Sequence, residues 1–255
     1  MGAPAAPRRR EAAAIGVVLL ALALTAWLIT RLRMAGMDAG PWTDPGPFGF
    51  FLSAWVVMMA AMMLPPALPM VLMFSRLKHA RSAPAVATTV FVLGYLVIWA
   101  VSGLAAYAAL KAGQAGGVFA WDRSGRPVAV GALLAAALYE MTPLKTRCLR
   151  KCRSPLGFLL SSWRDGLRGA FGMGTRHGAW CLGCCWALMV ALFALGAMSL
   201  TWMLVVSGLI AVEKLLPWRR VATAGVSVLL LAVATGVAVT PDSVPWLTVP
   251  MAGHM

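Results

Sequence analysis

Residues 176–206 read RHGAWCLGCCWALMVALFALGAMSLTWMLVV. The part from 178 to 195 is one apolar run without a charged side chain. Gly196 can end a helix there, and Ser199 can cap the next one. A second apolar run starts at Leu200. Two helices joined by so short a link form an antiparallel hairpin. Runs of this length suit lipid, where about 20 apolar residues cross the hydrocarbon core.

The rest of the chain repeats the pattern. Of its 255 residues 61% are hydrophobic and 12% charged, and mean hydropathy is +0.81. A soluble domain is about half apolar and about a quarter charged. The expected fold is therefore all-α, a polytopic membrane helical bundle of about seven spans. The spans fall at about 12–30, 48–74, 86–110, 128–142, 178–195, 200–216 and 221–240. The first has the basic flank of a signal peptide (Arg8, Arg9 and Arg10). Its apolar stretch is too long for a signal core, so it is read as retained. Residues 1–11 form a leader, 12–240 a single transmembrane domain and 241–255 an extracytoplasmic tail.

The formal charge is +14, but the basic residues lie between apolar runs, so topology explains them better than nucleic acid does. With the N-terminus inside, 17 Lys and Arg fall on the cytoplasmic side and five outside, namely Arg31, Arg33, Lys111, Arg123 and Arg126. Asp38, Asp44, Asp122 and Asp242 also fall outside. This bias gives a bacterial inner-membrane protein with its N-terminus in and C-terminus out. The basic loop 143–176 suits anionic lipid headgroups. Within it, SPLGFLLSSWRDGLRGAFGMG (154–174) reads as one interfacial amphipathic helix with an apolar face of Phe158, Leu159, Trp163, Leu167 and Phe171. Ser154 and Pro155 would start it, and Gly172 and Gly174 would end it.

All five cysteines fall on the cytoplasmic side under this topology. That compartment disfavours structural disulfides and raises metal or redox chemistry. Cys148 and Cys152 share a helix face, as do His177, Cys181, Cys184 and Cys185. Short helical spacing lets thiolate and imidazole ligands converge on one ion. Lys145, Arg147, Arg150, Lys151 and Arg153 surround the first pair; positive charge favours thiolates, though the same charges also satisfy topology or grip lipid. A cysteine within a span is also simply a small buried hydrophobe.

The second span carries MMAAMMLPPALPM (58–70). Pro65, Pro66 and Pro69 are expected to kink or break it in the cytoplasmic half. Met62, Met63 and Met70 offer soft thioethers suited to copper(I), although methionine-rich spans also serve as adaptable packing. Glu140 and Glu213 are ionisable groups at inner span ends, and such groups are costly without a role. The plainer reading pairs Glu140 with an arginine of the basic loop and Glu213 with Lys214 as an anchor. Outside this set, His79 reads as solvated. His254 with Met251 and Met255, and Met34 with Met37, are weak copper signals on the outer side.

MMAAMMLPPALPM, YEMTPLKTRCLRKCRSP, HGAWCLGCCWALM and AVEKLLPW together resemble a bacterial domain-of-unknown-function family of predicted metal-binding integral membrane proteins. The likeness runs from about Phe48 to Trp218. It implies a membrane bundle, with Cys148, Cys152, Cys181, Cys184 and Cys185 as candidate ligands. The expected function is a membrane metal-binding protein for copper(I) or zinc, acting in transport, efflux or delivery. The alternatives are a membrane thiol-disulfide oxidoreductase using a pair such as Cys181 and Cys184, or a non-catalytic assembly subunit. No nucleotide-binding motif or nucleophile–His–acid set appears, so an enzyme is not favoured.

Overall fold

The computed structural model describes residues 5–35, 40–42, 44–78, 84–241, 244 and 247. His79, His254, Met251, Met255 and Met37 lie outside the described residues. Among those described, all extended regular structure is helical. Nine α-helices run α1 (Ala5–Met34), α2 (Phe48–Lys78), α3 (Pro84–Ala115), α4 (Arg126–Glu140), α5 (Pro143–Arg153), α6 (Pro155–Ser162), α7 (Gly166–Leu195), α8 (Leu200–Leu215) and α9 (Arg219–Val239). A π-helical turn, Trp121–Gly125, leads into α4.

A helix forms at each of the seven apolar runs, and five of them are long and apolar enough to cross a membrane: α1, α2, α3, α7 and α9. Helices α4 and α8, with 15 and 16 residues, rise about 22 and 24 Å, short of a hydrocarbon core of about 30 Å. Helix α4 continues into α5 across a bend of 66°. Pro143 cannot continue the preceding hydrogen-bond ladder but suits a first turn, and the Thr142 hydroxyl accepts from the Lys145 amide at 3.2 Å. The α7–α8 turn follows the pattern visible in the chain. Gly196 takes φ 110° after α7, and the Ser199 hydroxyl accepts from the Trp202 amide at 3.5 Å.

Three local expectations are corrected. The single interfacial helix over 154–174 does not form: α6 stops at Ser162, and α7 begins at Gly166. Phe158 and Leu159 are buried, whereas Leu167 and Phe171 are exposed, so they share no face. Gly172 and Gly174 do not end a helix, because α7 runs through both. Gly174 instead lets α7 press against α3. A methyl group there would overlap the Phe91 carbonyl, and one on Gly94 would overlap the Phe171 carbonyl. Small residues allow this approach in apolar bundles. Finally, α2 stays helical through Pro65, Pro66 and Pro69, so it is not broken. Neighbouring groups can serve the local backbone, and the Tyr95 hydroxyl donates to the Met63 carbonyl at 3.3 Å.

Helix α7 is the hub, touching α3, α4, α5 and α8, while α2 lies against α1, α3, α6 and α8. These two are the most buried of the five long helices, at 61% and 56% of their apolar windows. Of the candidate ligands, His177, Cys181, Cys184 and Cys185 sit on α7 and Met62, Met63 and Met70 on α2, while Cys148 and Cys152 lie on α5, Glu140 on α4 and Glu213 on α8.

Candidate metal centre

Helix α7 carries His177, Cys181, Cys184 and Cys185, all buried. With the helix starting at Gly166, Cys181 lies about 22 Å of rise from its beginning. The thiols are near the midpoint of α7, not at the edge of a helix. Helix α5 lies against this stretch and supplies buried Cys148 and half-buried Cys152. All five cysteines are free.

Cys152 on α5 and Cys184 on α7 bring their sulfurs to 3.8 Å of each other. Cys184 and Cys185 each donate to the Cys181 carbonyl at 3.0 Å. A side-chain carbon on Gly183 would stand 3.0 Å from the Cys148 sulfur, so that thiol rests against the bare backbone of α7. The Tyr139 hydroxyl donates to the Gly183 carbonyl and ties α4 to the same turn.

Cys181 has two further partners that spacing along α7 does not disclose. Lys214 Nζ from α8 donates to its sulfur at 2.8 Å, and the Tyr95 hydroxyl from α3 pairs with it at 3.0 Å. Tyr95 also reaches the Met63 carbonyl, so it links α2, α3 and α7 at one point. It is one of only three tyrosines in the chain. A hydroxyl within an apolar run needs a partner, and that was its available signal.

The two acids meet each other at Lys145. Its Nζ donates to Glu140 Oε1 at 2.7 Å and to Glu213 Oε2 at 2.8 Å, with Glu140 Oε2 at 2.6 Å. The lysine and Glu140 side chains are fully buried, and Glu213 is 2% exposed. Neither expected plain pairing occurs: Glu140 takes a lysine from its own bend, and Lys214 turns to Cys181. Lys145, read as one of the basic-loop charges around Cys148 and Cys152, is a buried bridge between α4, α5 and α8.

The remaining candidates divide. Met62 and Met63 pack in the same apolar cluster as Cys148, Cys181, Cys184 and Cys185, whereas Met70 packs in another with Phe74, Phe91 and Phe158. His177 stacks on Tyr95 and Phe91, with ring centres 5.5 and 6.2 Å apart, and meets Phe158 edge-on at 5.6 Å. Its Nδ1 is buried without a partner. An aromatic box therefore surrounds the imidazole. Among the described residues, no three of His, Cys, Asp and Glu are arranged to hold a metal ion.

A copper-chaperone family profile, PpoB2, matches residues 52–237, which take in every one of these groups. The chain belongs to the PpoB2 copper-chaperone family. Membership assigns it to copper-related metal handling, and the family description gives no support to zinc. Comparison with curated proteins and with solved structures returns no match in either. The thiol set fits a PpoB2 cargo of this kind, because copper(I) is soft and selects sulfur.

Proposed function

We propose that the protein is a membrane copper(I) carrier that holds its cargo between α5 and α7, on the sulfur pair of Cys152 and Cys184. The observation that carries this reading is the 3.8 Å sulfur–sulfur approach of Cys152 and Cys184, made across two helices. Cys148 and Cys185 provide further thiols at the same place, and Met62 and Met63 line the neighbouring core. The long apolar helices and the basic flank of Arg8, Arg9 and Arg10 ahead of the first one support an inner-membrane location with the N-terminus inside. Low coordination by soft thiolates suits copper(I), so a sulfur pair suffices without a preformed cage of three or four ligands.

Anaerobic titration of the detergent-purified chain with copper(I) against a chromophoric competitor tests the reading. One copper(I) per chain is expected. Cys152→Ser and Cys184→Ser should each weaken binding about 100-fold or more, since even supporting residues cost 10–100-fold. Thiol ligands must shed protons, so affinity falls as pH drops. Wild type that takes up no copper, or serine variants with unchanged affinity, would refute the assignment.

The same approach of Cys152 and Cys184 supports a second reading, thiol-disulfide exchange between α5 and α7. A disulfide needs about 2.05 Å between sulfurs, within reach of a rotamer change. Mass-tag trapping in cells separates the two: a pair that cycles with oxidant supports exchange, and thiols that stay reduced while copper is bound support the carrier.

A further inference from the structure

Two clefts meet between the exposed side of α5 and the start of α9. One, of about 500 Å³, is lined by Arg150, Arg153, Arg220, Trp218 and Val221 among others. The other, of about 480 Å³, shares Arg150 and Arg220 and adds Arg147 and Met141. No acidic side chain is among the described residues lining either one. Arg153 is committed, donating to the Glu213 carbonyl at 2.8 Å and to the Leu216 carbonyl. The guanidiniums of exposed Arg147, Arg150 and Arg220 make no hydrogen bond or ion pair among the described residues. Three like charges around one double concavity repel one another. They suit oxyanions, which guanidiniums grip with paired donors. The first turn of α9 has no side-chain cap, so its free amides add to the same positive field.

The place of the clefts in the fold says which oxyanion fits. Arg220 begins the candidate membrane span of α9. Trp218 beside it is exposed, as amphipathic rings at a membrane interface are. Apolar exposure starts at the same level. Val221 lines one cleft and Met141 the other, and both are exposed. By helical spacing Val228 continues the Val221 face of α9, and Leu138 and Leu134 continue from Met141 along α4. All three are exposed too. A free phosphate would use the arginines and leave these apolar faces bare, whereas a lipid covers both.

We propose that the paired clefts hold a phospholipid of the cytoplasmic leaflet that carries two phosphates. One phosphate sits in each cleft, Arg150 and Arg220 serve both, and the acyl chains run along the apolar faces of α4 and α9. Two phosphates on one short bridge are the chemistry of cardiolipin, and basic pockets between helices on this side take such headgroups. The lipid neutralises the unpaired arginines and ties α5, which carries Cys152, to α9. The inference rests on the membrane reading above and is independent of copper.

Native mass spectrometry of the full chain in detergent, titrated with one ligand at a time, tests it. The ligands are cardiolipin, phosphatidylglycerol, phosphatidylcholine and inorganic diphosphate. Cardiolipin should bind about tenfold or more tighter than phosphatidylglycerol, because its second phosphate binds from a tethered position. Diphosphate should not displace it. Arg150→Gln with Arg220→Gln should weaken cardiolipin about tenfold or more and leave phosphatidylcholine unchanged. The control, Arg164→Gln with Arg168→Gln, removes two exposed charges outside both clefts and should keep the wild-type affinity. In thermal unfolding, cardiolipin should raise the midpoint of wild type and control but not of the Arg150/Arg220 variant, and all three should share one midpoint without lipid. Equal affinity for cardiolipin and phosphatidylglycerol overturns the proposal, and so does equal weakening in the control. Displacement by diphosphate makes the clefts a site for a soluble phosphate and overturns it as well. A chain that stays soluble without detergent and binds none of the lipids removes the membrane reading itself.

Discussion

Replacing Lys145 tests whether the buried triad holds the bend between α4 and α5. Lys145→Met keeps the volume of the stem but leaves Glu140 and Glu213 facing each other without the ammonium. Contacts of 2.7 and 2.8 Å are lost, from side chains at most 2% exposed. At an effective dielectric of about 20, each contact represents roughly 6 kcal/mol of gross attraction. Desolvation of the three ions cancels much of that in the intact protein. Removing one partner from such a set costs about 3–5 kcal/mol, because the remaining charges stay buried. For a domain of this size that is a fall in the unfolding midpoint of roughly 6–20 °C. The 11 tryptophans make fluorescence-detected thermal unfolding in detergent a practical assay. The triple variant with Glu140→Gln and Glu213→Gln should recover most of the loss, since it leaves no unpaired ion. A Lys145→Met protein within about 1 kcal/mol of wild type would refute the reasoning, and so would a triple variant no better than the single.

Gly174→Ala should separate α3 from α7, because its methyl group overlaps the Phe91 carbonyl; the expected cost is about 1–3 kcal/mol, and the same unfolding assay checks it. Tyr95→Phe removes the hydroxyl that joins Cys181 to the Met63 carbonyl. Stability should fall by about 1–2 kcal/mol, and amide exchange around Met63 should quicken. Away from the core, the Lys111 ammonium 2.7 Å from Asp44 holds that carboxyl below its usual range, helped by the Gly46 amide. A lowered carboxyl stabilises the fold above its ordinary range, and that support is lost as pH falls through the lowered value. Asp44→Asn should therefore flatten the acid limb of stability slightly, since the pair is exposed and screened by salt; an unaltered acid limb would count against the contact.

Much of the site was legible where local rules govern. Gly196 and Ser199 mark a stop and a cap that depend only on backbone conformation and one hydroxyl. Thr142-Pro143 marks a restart for the same kind of reason. The helical spacing of Cys181, Cys184 and Cys185 places three thiols on one buried stripe whatever surrounds it. His177 shares that spacing, yet its ring lies in an aromatic box, because contact with Phe91, Tyr95 and Phe158 depends on helices α3 and α6. Gly174 illustrates the other failure. A glycine can end a helix or admit a neighbouring one, and only the presence of α3 decides which.

The sequence alone determined that the chain is a bundle of apolar helices, because runs of that length and composition leave few other ways to satisfy the backbone. It also determined that the thiols gather in two helical groups. Tertiary structure decided which groups meet. It drew Lys145 into the core between two carboxylates, turned Lys214 from Glu213 to Cys181, and brought Cys152 to within 3.8 Å of Cys184. Apart from Glu140, which lies at the same bend as Lys145, those partners lie tens of residues apart in the chain. Their meeting follows from how α5 and α8 dock on α7, and periodicity within a single helix does not contain that information.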